Sequence, residues 1–374
     1  YRFGFDENGN NVTEVAAAAV GEAKWITGGK GANLAEMANI GLPVPSGFTI
    51  TCQTCVAYSS AGNVWPEGVL DEIDEYRRDL EKRMGKKLGD SDDPLLVSVR
   101  SGAPFSMPGM MDTVLNLGLN DDSVQGLIKQ TGNARFAYDS YRRFVQMFSD
   151  VVMGVSGQLF EDALSAKKAE KGVNLDTDLD ADDLKDVVAT FKQIFAENVD
   201  VEKYPEVIID GKVVFPHDPL LQLRLAEQAV FGSWNTDRAV LYRKQNKLDD
   251  SLGTAVNVQV MAFGNKGETS ATGVAFTRNP ADGTNERYGD FLVNAQGEDV
   301  VAGIRNTEPI ADLPKVPGLE AAGNELFHVF EILEDHYADM MDVEFTIEQG
   351  KLYMLQTRVG KRTALSALRV AIQM

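Results

Sequence analysis

The sequence predicts an α+β protein in which two strand-bearing portions flank a mainly helical middle. Three observations carry that expectation. Apolar and polar residues alternate in several short stretches, most clearly over residues 342–358, the period-2 pattern of half-buried strands. Residues 120–225 instead repeat their apolar positions at helical spacing. At 374 residues the chain is too long for one ordinary core, so two or three domains are expected. The division is 1–120, 121–220 and 221–360, with 361–374 beginning a linker.

A net charge of −20 opposes a nucleic-acid groove or an anionic membrane surface as partner. An acidic protein that holds a polyphosphate must gather positive charge locally or bring in a metal. No apolar run approaches the roughly 20 residues of a membrane span, and the sequence as given opens on no signal peptide. Cys52 and Cys55 are the only cysteines, spaced as a redox pair or half a zinc site would be. With no second pair and no redox context, they read as ordinary thiols of a reducing cytoplasm.

Taken in order, residues 25–45 are a glycine loop feeding a helix. Leu34, Met37 and Ala38 share a face over residues 32–40, Gly41 suits the position after the last turn, and Pro43 prevents continuation. The free N–H groups of the loop, the helix dipole and Lys30 make an anion site, although a surface turn has the same signature. The pattern G-x-x-x-x-G-K-[ST] is absent. Residues 95–99 read as a short buried strand delivering Arg100 at its end. A breaker-rich loop over residues 101–113 follows. Its Phe105, Met107, Met110 and Met111 either pack under a neighbouring element or cover a ligand, because exposed apolar loops are costly. Arg100 beside such a loop fits a phosphate clamp.

In the middle, Phe136, Tyr141, Phe144, Val145, Phe148 and Val152 stripe one long helix, interrupted by Arg142 and Arg143 as surface charges. Residues 176–180 fail as a calcium loop: Ala181 replaces the required Gly, and Val187 stands where the bidentate Glu belongs. Asp180 reads instead as a helix cap, with Asp182 and Asp183 favoured by the dipole. Asp218-Pro219 opens another helix. Residues 206–215 read as a small hairpin about Asp210-Gly211, with no function assigned. Further strands are expected at 255–264, 273–278 and 291–303, the last ending in Gly297-Glu298. The link over 267–273 suits either a surface hairpin loop or a phosphate-covering loop.

Near the end, Val343, Phe345 and Ile347 alternate with Asp342, Glu344 and Thr346, and residues 352–358 alternate again after a turn at 349–351. If the hairpin folds about Gly350, Glu344 faces Gln356 and Asp342 faces Arg358. Two carboxylates, an amide oxygen and a guanidinium on one face suit a hard divalent cation holding a phosphate chain. A solvated amphipathic hairpin has the same pattern.

Four motifs together carry a resemblance. Gly28-Gly29-Lys30-Gly31, Ser98-Val99-Arg100-Ser101-Gly102, Ser106-Met107-Pro108-Gly109-Met110-Met111-Asp112-Thr113 and Asp342-Val343-Glu344-Phe345 closely resemble the N-terminal nucleotide-binding part of the pyruvate, phosphate dikinase family. The resemblance runs from about Gly28 to Arg362, and the Met-rich run is its most specific piece. It implies an ATP-grasp fold, with two α/β subdomains enclosing a nucleotide cleft and the helical middle as a third. It implies ATP and inorganic phosphate as ligands, Mg²⁺ as cofactor, and Lys30, Arg100 and Arg358 as the groups that neutralise phosphate oxygens. Asp342, Glu344 and Gln356 would hold the metal. Gly109, Thr113, Arg143, Thr272, Gly273 and Glu298 join the nucleotide site by resemblance alone. Pro104-Phe105 departs from the family pattern, which has a more basic or small pair there.

The family converts ATP, phosphate and pyruvate to AMP, pyrophosphate and phosphoenolpyruvate. In the implied half-reaction, a histidine on a separate domain attacks the β-phosphorus of ATP, and the γ-phosphate passes to inorganic phosphate. That histidine lies in a Thr-Cys-His context, which none of His217, His328 and His336 matches. The chain is therefore expected to be a fragment, whose partners are the phosphohistidine and pyruvate-binding domains of a longer chain. The fragment is expected to be monomeric and the full-length protein a homodimer. Two rival readings are the related phosphoenolpyruvate synthase, against which the Met-rich run argues, and an ATP-binding regulatory module without turnover.

Overall fold

The computed structural model describes residues 1–16, 20–107, 109–302 and 305–374, apart from the side chains of 20, 301 and 302. Pro108 of the Met-rich run and Gly303, expected at the end of the third late strand, lie outside the described residues. The chain forms two compact units: Tyr1, 22–31 and 47–261 make the first, and 2–21, 32–46 and 262–374 the second. The helical middle belongs to the first unit. The later cut falls after Met261 rather than near Leu221.

The glycine segment is more helical than its sequence suggests. Helix α1 (Val20–Asn39) runs through it, broken at Gly28, where φ is 70° and ψ 165°. The expected loop is thus a kink between two helical stretches, and it falls on the residue type that adopts such a φ without a Cβ penalty.

In the first unit, strands β1 (Gly47–Ile50), β2 (Val97–Gly102), β3 (Thr113–Leu117) and β4 (Ala255–Val260) are ordered β1-β4-β2-β3. All three pairings are antiparallel. Register places Phe48, Val258, Val99 and Val114 in one row and Thr49, Asn257, Arg100 and Thr113 in the next. Because successive side chains alternate between faces, the two rows point to opposite sides of the sheet. The Phe48 row is buried throughout. Arg100 therefore sits inside β2 rather than at its end.

Helices α2 (Ala134–Met147) and α3 (Ala181–Asn198) pack on each other, and α4 (Pro219–Ser233) packs on β2, β3 and β4. Their starts follow the capping chemistry of the sequence. Asp180 accepts from the Asp183 N–H at 2.9 Å in a reciprocal capping box, and Asp218 accepts from the Leu220 N–H at 2.9 Å. The stripe expected along one long helix is divided. After Met147 the chain passes into a π-helical turn over Phe148–Val152. The small hairpin at Asp210-Gly211 is present, with both turn residues at positive φ. Helix α5 (Asp237–Asn246) follows α4.

In the second unit, β5 (Ala271–Phe276), β6 (Tyr288–Val293), β7 (Met341–Glu348) and β8 (Lys351–Val359) are ordered β6-β5-β7-β8, antiparallel throughout. Helix α6 (Gly297–Ala302) follows β6, and α7 (Glu320–Tyr337) packs on β7 and β8. Val343, Phe345 and Ile347 are buried, as are Leu326, Val329, Phe330 and Leu333 of α7. Because β4 and β5 belong to different sheets, the 267–273 link is not a hairpin loop.

The terminal hairpin reaches its expected register by an unexpected route. Its turn is the two-residue pair Gln349-Gly350, at φ 48° and 78°, and Lys351 already pairs with Glu348. A two-residue turn alone would have set Glu344 opposite Leu355. A bulge there inserts Leu355 as one extra residue in β8, and beyond it Glu344 faces Gln356 and Asp342 faces Arg358.

Candidate functional site

Each unit carries its own cluster of site residues. In the first, the glycine segment lies directly on the end of β2. The Gly29 N–H donates to the Ala103 carbonyl at 2.9 Å. A Cβ on Gly28 would fall 1.5 Å from the Gly102 carbonyl oxygen, so that approach admits no side chain. Lys30 follows immediately, and its Cβ would be 3.4 Å from one placed on Gly102. Arg100 pairs in register with Thr113 across β2 and β3. Lys30, Arg100 and Thr113 are all half-buried. Two cations on adjoining backbone segments, beside amides at a helical kink, can hold anionic oxygens.

The Met-rich loop resolves into one of its two expected modes. Met107 is buried with Ala103, Trp234 and Ala239, and Met110, Met111, Tyr242, Leu248 and Leu252 pack around them. The apolar side chains thus lie against the Trp234–α5 region. The loop is also tied at both ends: Arg238 donates to Asp112, and the Tyr242 hydroxyl donates to the Ser106 carbonyl at 3.4 Å. Burial pushes the Asp112 carboxyl above its usual range, and the Arg238 charge offsets only part of that. Gly109 is exposed at φ 70°, with nothing within 4 Å of where its Cβ would be. Backbone conformation rather than crowding accounts for glycine there. Phe105, the departure from the family pattern, meets Trp25 edge-on at 5.5 Å between ring centroids.

Arg143 is drawn into an ion-pair cluster rather than projecting as a surface charge. Its Nε donates to Asp139 at 3.1 Å, and Arg142 is buried between Asp139 and Asp176 at 2.8 and 2.9 Å. Burial opposes ionisation of Asp139, but the guanidinium groups of Arg142, Arg143 and Arg135 outweigh it and hold the carboxyl at about 2. These pairs correct the expectation that both arginines project as surface charges.

In the second unit, Asp342, Glu344, Gln356 and Arg358 share one face of β7 and β8. Gln356 Nε2 donates to Glu344 Oε1 at 2.8 Å, and Arg358 Nε donates to Asp342 Oδ2 at 2.7 Å. Partly exposed pairs of this kind contribute only about 0.2–1 kcal/mol to a sheet. Thr272 and Gly273 lie on the neighbouring β5. The Thr272 hydroxyl donates to the Phe345 carbonyl at 3.2 Å, and a Cβ on Gly273 would fall 2.6 Å from the Phe345 ring. Gly273 is therefore explained by packing, with the Asp290 carbonyl also within 2.7 Å of that Cβ. Glu298 lies in the first turn of α6, where a continuing strand was expected. A Cβ on the preceding Gly297 would be 3.8 Å from Thr272 Oγ1.

Among the described residues no three His, Cys, Asp or Glu side chains cluster as a metal site. The Asp342–Glu344–Gln356 set is of another kind, two carboxylates and an amide. Cys52 and Cys55 are buried, and burial raises both thiols, Cys52 to about 12, as suits unreactive packing groups. No helix among the described residues is long and apolar enough to cross a membrane. Sequence reasoning missed Asn257 and Asp112. The Val-Asn-Val-Gln-Val alternation of β4 held the signal for Asn257, whereas the Arg238 partner of Asp112 is 126 residues away and left none.

Two mixed units, each built on an antiparallel sheet with helices packed on it, fit an ATP-binding protein of the α+β ATP-grasp class. The family model described as "Pyruvate phosphate dikinase, AMP/ATP-binding domain" matches residues 25–75, 63–315 and 319–373, and the chain belongs to that family. It is 54% identical over 346 residues to the pyruvate, phosphate dikinase of Clostridium symbiosum, covering 92% of this chain and 38% of that protein. The chloroplastic pyruvate, phosphate dikinase of Flaveria pringlei is 54% identical over 353 residues, covering 94% of this chain and 35% of that protein. That of Giardia intestinalis is 53% identical over 352 residues, covering 93% and 38%. The chain thus spans little more than a third of the length of these relatives.

Proposed function

We propose that the chain binds ATP with Mg²⁺ and performs the ATP/phosphate half-reaction of a pyruvate, phosphate dikinase. The acceptor is a histidine carried outside this chain. The observation that carries the reading is the hairpin register, which sets Asp342, Glu344, Gln356 and Arg358 on one face. The donor set there fits a hard divalent cation, which takes carboxylate and amide oxygens: Asp342 and Glu344 carry carboxylates, and Gln356, whose amide N–H donates to Glu344, carries an amide oxygen. When bound, Mg²⁺ would neutralise charge on the phosphate chain.

The chain's own residues supply position and charge, which is most of what phosphoryl transfer asks of an enzyme. In this reading Lys30 on α1 and Arg100 on β2 are phosphate-binding groups, and so is Arg358 on the hairpin, where Asp342 holds its Nε. The planar guanidinium fork makes lysine a poor substitute for Arg100 or Arg358. Thr113, Gly109, Thr272, Gly273 and Glu298 line the nucleotide site in this reading. Inorganic phosphate, the phosphohistidine and pyruvate-binding domains, a homodimeric full-length protein and a cytoplasmic location belong to the same proposal.

Calorimetry of ATP binding with Mg²⁺ and with chelator tests the metal assignment. Affinity should fall by an order of magnitude or more without the cation, because an acidic protein otherwise meets a polyanion. Equal affinities would remove the metal from the reading.

A further inference from the structure

Asn257 stands at the centre of the first sheet with 0% of its surface exposed. A buried central strand ordinarily takes β-branched residues, as Val256 and Val258 do on either side. An amide there costs free energy unless it is hydrogen-bonded. Asn257 is. Its Oδ1 accepts from Thr49 Oγ1 at 2.8 Å, and its Nδ2 donates to the Arg100 carbonyl at 3.4 Å.

Two glycines crowd the same amide. A Cβ on Gly31 would lie 2.8 Å from Asn257 Oδ1 and 3.0 Å from Thr49 Oγ1, and one on Gly102 would lie 2.6 Å from Asn257 Nδ2. Neither glycine has a positive φ. Proximity to Asn257, not backbone conformation, is what requires glycine at both. The amide therefore touches the residue after Lys30, the carbonyl of Arg100, and the residue two beyond Arg100.

We propose that Asn257 is a positioning residue for nucleotide binding. Held by Thr49, it fixes the two backbone segments from which Lys30 and Arg100 project. This rests on the reading of those two cations as phosphate-binding groups.

The test is calorimetry of MgATP on the 374-residue chain, with melting temperature recorded separately for every variant. Asn257→Ala should weaken binding roughly tenfold, the scale of one lost buried hydrogen-bonding group, and Thr49→Val should weaken it in the same direction. Gly102→Ala alone should also weaken it. Combined with Asn257→Ala, it should cost nothing more, because its clash partner has gone. In a Lys30→Ala background, Asn257→Ala should lose much of its effect, a coupling that a merely structural role would not produce. Folded Asn257→Ala with a lowered melting temperature and unchanged affinity would overturn the proposal. Should that variant not fold, unchanged affinity in both Thr49→Val and Gly102→Ala would overturn it. If Lys30→Ala and Arg100→Ala themselves leave affinity unchanged, the phosphate reading fails first and this proposal with it.

Discussion

Glu344 and Glu227 are both carboxyl groups, and their surroundings assign them opposite chemistry. Glu344 is half-buried on a polar sheet face with an amide donor 2.8 Å away. That setting suits a cation ligand, so Glu344→Ala should remove most of the Mg²⁺-dependent gain in ATP affinity, tenfold or more, while leaving the chelator value nearly unchanged. Isothermal titrations of both proteins, with and without Mg²⁺, measure this, and a preserved gain would exclude Glu344 as a ligand. Glu227 on α4 is 1% exposed, its Oε1 has no hydrogen-bond partner, and burial raises its carboxyl from 4.5 to about 8. Its folded form favours the proton more than the unfolded chain does. That contribution is complete below pH 4.5 and is lost as pH rises towards 8, at about 1.4 kcal/mol per pH unit. Glu227→Gln should therefore flatten the fall in stability between pH 5 and 8. Urea midpoints of the two proteins should diverge with rising pH, and parallel curves would show that Glu227 does not titrate there.

Gly273 shows how a residue placed in a site by resemblance can be explained by its element. The Phe345 ring and the Asp290 carbonyl occupy the space of a Cβ, at 2.6 and 2.7 Å. Gly273→Ala should cost roughly 1–3 kcal/mol, the usual penalty of overpacking. Phe345→Leu should recover part of it, which a double-mutant unfolding cycle measures; strict additivity would count against ring packing as the cause. The same sheet shows what the sequence made legible. Period-2 alternation identified β7 and β8, and capping chemistry placed the starts of α3 and α4, because those signals are local. The hairpin register was right through two features that offset each other: a turn one residue shorter than the fold about Gly350 requires, and Leu355 as an extra residue at the bulge. A one-residue slip would have turned Gln356 and Arg358 to the opposite face. Non-local pairing was illegible. Polar spacing over 267–273 could not reveal that β4 joins β1 and β2 while β5 joins β6 and β7, nor that Arg143 would be held by a buried Asp139.

For the whole molecule, the reading divides labour between this chain and sequence outside it, since 54% identity to the Clostridium symbiosum dikinase covers only 38% of that protein. Of the histidines here, His336 pairs with Glu36 at 2.7 Å and His217 with Asp122 at 3.2 Å, while His328 is largely exposed on α7. None of them has the Thr-Cys-His context of the family's acceptor. The chain alone should therefore bind MgATP yet form little AMP. A positioned nucleophile can be worth about 7–11 kcal/mol of barrier through proximity alone, and held phosphates cannot supply it. Adding a separately produced histidine-bearing domain should restore slow transfer that rises with its concentration, because the covalent tether that supplies effective concentration is absent. With ATP labelled at the β-phosphate and inorganic phosphate present, label should move onto the added domain. Arg100→Ala, Glu344→Ala and Arg358→Ala should each suppress that transfer. AMP and pyrophosphate released at an enzyme-like rate by this chain alone would place the acceptor within it and refute the division. Tight MgATP binding with no transfer at any concentration of added domain would favour a regulatory module over half of a dikinase.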